Sequence, residues 1–188
     1  MISKTRVESM MRADEFGQLA RYNKWANARL YAAVLSLPDE AYRRQIGIFF
    51  GSLHGTLNHL LGVDRLWLKR LTGKGDHPNR LDAIIHEDLL DLARARVAED
   101  ERIIAVVDSF DTSSLSRLHP YHTTSGQPQE QMLAAILMHF YNHQTHHRGQ
   151  AHAGLSIVTG IEPPSLDLLA FQRGASAPNI AEVLANSG

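Results

Sequence analysis

The residues with the plainest chemistry lie in one stretch: His139-Phe140-Tyr141-Asn142-His143-Gln144-Thr145-His146-His147-Arg148-Gly149-Gln150. It holds four of the chain's eleven histidines. An α-helix turns about 100° per residue, so side chains four apart stand one turn above each other. His139, His143 and His147 form such a ladder, with His146 at its flank. Two imidazoles one turn apart can reach one divalent cation, since neutral imidazole is the commonest side-chain metal ligand. Core packing or simple surface exposure is the competing account of any one of these histidines, and it weakens for an i, i+4 pair in so dense a cluster.

A cation held by His143 and His147 needs at least one ligand from another element. The second long helical segment offers His54 and His59. They lie five residues apart, about 140° around a helix, and do not share a face. His59 adjoins the apolar stripe of Leu57, Leu60 and Leu61 and is preferred. It sits roughly 12 Å into its helix, and the His143/His147 pair roughly 12–18 Å from the end of theirs. These levels coincide only if the two helices run antiparallel. Up-down-up-down winding would misplace the ligands by roughly 10 Å, whereas an up-down-down-up bundle brings them together. Residues 73–86, extended, could reach about 45 Å and so return along the bundle.

The elements that must position these residues are helical. Phe16, Leu19, Ala20, Ala26, Leu30, Ala33, Val34 and Leu37 recur at spacings of three and four, predicting a first helix over about 12–36. Within it Asn23 and Asn27 share a face, where they either fix a neighbouring loop or are solvated. Residues 38–50 form a connector with a short helix near 40–44. The second long helix runs over about 52–71 and carries Asp64 on its apolar stripe, a carboxylate that needs a partner if buried. A clear loop over 73–80 follows. The third, over about 87–109, has an apolar side and a charged side without ligand candidates. Residues 111–127 read as irregular, with His119 and His122 as loop residues. Pro128 suits a first helical position, so the fourth helix is placed from 128 to about 155. A short helix near 165–172 precedes a poorly anchored tail. No strand pattern is evident. The chain reads as all-α, a single four-helix-bundle domain over 1–188 with its core at about 12–173 and a C-terminal tail over 174–188.

With 188 residues, 44% hydrophobic and 21% charged, the chain can bury a proper core. A net charge of −1 supplies no basic field for nucleic acid or an anionic membrane. There is no cysteine, hence no disulfide, zinc thiolate or cysteine nucleophile. Thiol chemistry would need a thiol brought in by a substrate or cofactor. The mixed-charge N-terminus, Met1 to Phe16, lacks a signal-peptide core, and no apolar run approaches the roughly 18–20 residues of a bilayer span. A cytoplasmic location is expected.

Several blocks resemble the DinB family, the damage-inducible DinB/YfiT-like metalloenzymes. They are Tyr22-Asn23-Lys24-Trp25-Ala26-Asn27; Thr56-Leu57-Asn58-His59-Leu60-Leu61 with Asp64 and Trp67-Leu68; Asn142 through Gln150; and Pro163-Pro164-Ser165-Leu166-Asp167. The resemblance implies an up-down-down-up four-helix bundle, commonly a homodimer, with a divalent metal, zinc or nickel foremost, on His59, His143 and His147. Relatives in the wider superfamily include thiol-dependent transferases and isomerases that use mycothiol or bacillithiol. The family name records induction by DNA damage and carries no implication of DNA binding.

Three neutral imidazoles leave a coordination position open, as catalytic sites do. The expected activity is that of a metal-dependent hydrolase or thiol-S-transferase acting on a small molecule, with a low-molecular-weight thiol as cosubstrate in the second case. The alternative is a non-catalytic metal-binding stress-response protein. Gln144 stands where a zincin carries its general-base Glu, and no Glu-x-x-His occurs, which argues against zincin and ferritin-like di-iron chemistry. Catalytic residues are not assigned. Asp64 is the best carboxylate, read first as one half of a buried ion pair with a residue such as Arg148. His54, His139 and His146 are candidates for orienting the ligands.

Overall fold

The computed structural model describes residues 4–185, with side chains from residue 13 onward. Met1 to Ser3 of the charged N-terminus and Asn186 to Gly188 of the expected tail lie outside the described residues. The chain is mostly helical. Four long helices, α1 (Lys4–Leu35), α3 (Leu53–Thr72), α4 (Leu89–Asp108) and α6 (Leu133–Thr159), carry most of the core. Short helices α2 (Asp39–Arg43), α5 (Thr112–Leu115), α7 (Leu168–Gln172) and α8 (Ile180–Ala185) fill the connections and the C-terminus. No described helix is long and apolar enough to cross a membrane.

Helix ends follow local chemistry. The Ser52 side chain accepts from the Gly55 amide at 3.1 Å and starts α3; Asp88 accepts from the Asp91 amide at 2.9 Å and starts α4. Gly73 (φ 71°) closes α3 in the left-handed conformation that L side chains avoid, its amide donating to Lys69 O at 2.8 Å.

Residue pairs give the relative senses of the long helices. Between α3 and α6, His59 meets His143 while Trp67 meets His139, so residue numbers rise in one as they fall in the other. Between α1 and α4, Arg21 pairs with Asp108 and Asn27 with Asp100, again in opposite senses. Phe16 stacks on Tyr141 and Asn23 meets Arg148, so α1 and α6 run together.

The core is divided. One apolar cluster contains Leu30, Val34, Leu57, Leu61, Leu92 and Leu155; the other contains Phe16, Ala20, Trp67, Ile103, Leu137 and Phe140. Between them each long helix contributes buried polar side chains: Asn23 and Asn27 from α1, Asp64 from α3, Arg96 and Asp100 from α4, Gln144 and Arg148 from α6. Two arginines against two aspartates leave this layer without net charge, the condition under which buried ions are tolerable.

Three expectations are corrected. Residues 118–122 and 128–132 form an antiparallel hairpin, β1 (Leu118–His122) and β2 (Pro128–Met132), with Leu118 opposite Met132 and His122 opposite Pro128. Pro128 therefore opens an exposed strand, where a missing N–H is harmless, and the last long helix starts five residues later. On α4 three residues of the charged side, Arg96, Glu99 and Asp100, are buried. The C-terminal segment is anchored as far as 185: Ile180 and Leu184 are buried, and Trp25 Nε1 donates to Ala175 O at 2.7 Å.

Candidate metal centre

His59 from α3 and His143 and His147 from α6 converge, each offering one ring nitrogen, with these atoms all within 4.8 Å of one another. His59 is buried and the other two half-buried. His59 Nε2 lies 3.2 Å from His143 Nε2. Two nitrogens bound to one tetrahedral cation at about 2.0–2.1 Å stand roughly 3.3 Å apart, so this spacing suits a shared ion.

Surrounding groups orient two of the rings. His59 Nδ1 donates to Leu81 O at 2.6 Å and His147 Nδ1 donates to Gln150 Oε1 at 2.8 Å. Each bond places the ring proton on Nδ1 and leaves an Nε2 lone pair for the cluster. Among the described residues His143 Nδ1 is buried without a hydrogen-bond partner. Burial lowers the His59 pKa to about 4, and burial with the neighbouring imidazoles lowers that of His143 to about 3. His147 shifts down as well, through burial first. All three are neutral near pH 7, the form that donates a lone pair to a metal.

The elements explain the convergence. Phe50 stacks on the face of His59 with ring centroids 3.8 Å apart and meets His147 edge-on at 5.4 Å. Gly55 permits this, since a Cβ there would come within 2.2 Å of Phe50 O. Leu81 lies in the connector after α3, and buried Asn58 holds that connector down. Its Oδ1 accepts from the Ile85 and His86 amides at 2.8 and 2.9 Å, and its Nδ2 donates to His54 O and His86 O. Asn58 and Phe50 are the residues that spacing alone passes over. Asn58 gives one signal, a polar residue inside an apolar helical run.

The structure separates the remaining candidates. His54 turns away from the cluster towards Tyr42 and His86 O. His139 is exposed and packs against Trp67 at 5.3 Å, and His146 is exposed beside Gln150. His119, on the hairpin, donates through Nε2 to Arg70 O at 2.9 Å. Asp64 does not pair with Arg148. It accepts from Arg96 Nη1 at 2.5 Å and from the Gln144 amide. Burial pushes its pKa up while the Arg96 guanidinium opposes the shift. Gln144, between two cluster histidines, thus ties α6 to Asp64. Arg148 instead donates to the Asn23 and Asn27 carbonyl oxygens and lies over the Tyr22 ring. Both asparagines also donate to Asp100, so they bridge buried charges and are neither solvated nor loop anchors.

The chain matches the DinB family over residues 3–182. It is also 27% identical over 148 residues to Protein DinB of Bacillus subtilis (strain 168), covering 73% of this chain and 83% of that protein. The family match spans nearly the whole sequence, including every residue of the histidine cluster and of the polar layer beneath it, and on that ground the chain belongs to the DinB family.

Proposed function

We propose that His59, His143 and His147 hold a divalent metal ion, zinc or nickel foremost, and that the protein is a metal-dependent hydrolase or thiol-S-transferase acting on a small molecule. The observation that carries this reading is the convergence of three neutral imidazoles, two of them with Nδ1 already committed to an acceptor. A bound divalent ion with an open position supplies Lewis acidity, lowering the pKa of a water or thiol that joins it. The protein's own part is to hold the ligands: Leu81 O and Gln150 fix two ring orientations, and Phe50 covers one face of His59. Among the described residues no carboxylate belongs to the cluster, and Asp64 is committed to Arg96 and Gln144, so proton removal falls to the substrate, solvent or a histidine at the rim.

The proposed architecture is a single up-down-down-up four-helix-bundle domain. The opposite senses of α3 and α6 support it. So does the order of the two apolar clusters, reversed along α3 and α4 relative to α1 and α6. The protein is further proposed to act in the cytoplasm as a homodimer, without nucleic acid or membrane as partner; size-exclusion chromatography with light scattering tests the dimer.

Assay of metal-loaded and chelator-treated protein against a panel of esters, amides and electrophiles with thiol cosubstrates tests the activity. Turnover that disappears with chelation and returns with metal is expected. Tight metal binding without any turnover would favour the non-catalytic stress-response reading instead.

A further inference from the structure

The end of α3, the connector after it and the β1–β2 hairpin line a cleft of about 450 Å³. Its lining is chemically one-sided. It contains Arg70, His77, Asn79, Tyr121 and His122 and, among the described residues, no aspartate or glutamate. Arg70 comes from the last turn of α3 and is half-buried. Its guanidinium carbon lies 4.6 Å from the Trp67 ring centroid and 5.2 Å from that of Tyr121. The other arginines facing the bundle interior have anionic or amide partners: Arg96 has Asp64 and Asp100, Arg65 has Glu99, and Arg148 has two asparagines. Among the described residues no carboxylate lies within ion-pair distance of Arg70. Burial lowers its pKa, as expected of a cation partly stripped of water without an anion to offset the loss. The two rings offset part of that cost and hold the guanidinium plane in place.

The cleft is also joined to the cluster. Leu81, one of the residues lining the cleft, supplies the carbonyl that orients His59. Trp67, under Arg70, packs on His139, which adjoins His143 at 6.2 Å.

We propose that this cleft is the subsite for an anionic group of the small-molecule substrate, a carboxylate or phosphate, and that Arg70 is the residue that binds it. The guanidinium's forked N–H donors match either oxyanion, and an anion fixed there would set which end of the substrate faces the histidines. The connection to turnover rests on the three-histidine reading; the anion site itself does not.

The test is a titration of full-length, chelator-treated protein with inorganic phosphate and with acetate, followed by NMR shifts of the Arg70 Nε–H and the hairpin amides. Acetamide serves as the uncharged control. Saturable shifts confined to the cleft are expected for both anions and not for acetamide. Arg70→Gln should weaken phosphate binding about tenfold or more, and Arg70→Lys should restore part of it. His122→Glu, on the exposed hairpin, adds a repelling charge without touching the ring stack and should weaken binding in a protein that melts normally. Shifts scattered over the surface, or phosphate binding unchanged in both Arg70→Gln and His122→Glu, would show an adventitious ion only and overturn the proposal. Metal content of Arg70→Gln is measured in parallel. Metal kept with phosphate lost supports the subsite, and a chain that binds phosphate through Arg70 but no metal keeps the subsite while ending the metal reading.

Discussion

At the scale of residues, Gln144 has a structural task in the place where a protease of this spacing would carry a base. A carboxamide is no base, and this one is buried, lies between two cluster histidines in sequence and donates to Asp64, fixing the helix that carries the ligands. Asp64 was legible in the sequence as a carboxylate in need of a partner, because an acidic group on an apolar stripe is costly unless paired or hydrogen-bonded. Its partner was not legible. Arg96 and Arg148 are both arginines on buried faces, and only packing decides which guanidinium reaches which carboxylate. The consequence is measurable by urea denaturation. Arg96→Met leaves Asp64 and Asp100 buried without their cation and should cost about 3–5 kcal/mol. Arg21→Met breaks an exposed pair with Asp108 and should cost about 0–1 kcal/mol. Equal losses would mean that the polar layer is not energetically special.

At the scale of elements, the long helices were readable because their apolar residues recur at three and four, and Ser52 and Gly73 mark ends of α3. The hairpin was not. Both of its strands lie on the surface, β2 is fully exposed, and Pro128-Gln129-Glu130-Gln131 offers no alternation or β-branched residue to announce a strand. The burial of Arg96, Glu99 and Asp100 on α4 was not legible for a related reason: periodicity separates polar from apolar positions and does not say which polar positions are buried. The connector after α3 has its own prediction. Asn58→Ala removes hydrogen bonds to the Ile85 and His86 amides, releasing the segment that carries Leu81 O. It should destabilise the fold by about 1–3 kcal/mol. It should also weaken metal affinity about 10- to 100-fold, as loss of an orienting group does. Isothermal titration with zinc checks the second effect, and unchanged affinity would detach the connector from the site.

At the scale of the whole molecule, two apolar clusters clasp a neutral layer of buried charge, and the histidine cluster opens at the level of that layer. The C-terminal segment completes one cluster through Ile180 and Leu184 and walls a cavity of about 610 Å³ against α1 and α4. Deleting residues 177–188 should therefore cost about 2–4 kcal/mol, given about 1.5–3 kcal/mol per large buried aliphatic side chain before allowance for compactness of the unfolded chain. Thermal unfolding followed by tryptophan fluorescence, to which Trp25 and Trp67 both contribute, would report it, and an unshifted transition would show the segment to be dispensable. The three-histidine set was legible because helical spacing and depth constrain it from two directions, whereas the reaction leaves no comparable trace in spacing. The central claim is met most directly by elemental analysis of the untagged protein, its His59→Ala and His147→Ala variants, and His139→Ala as control. About one divalent ion per chain in the wild type and the control, and its loss in both cluster variants, is the predicted result; metal content unchanged in both His59→Ala and His147→Ala would contradict it.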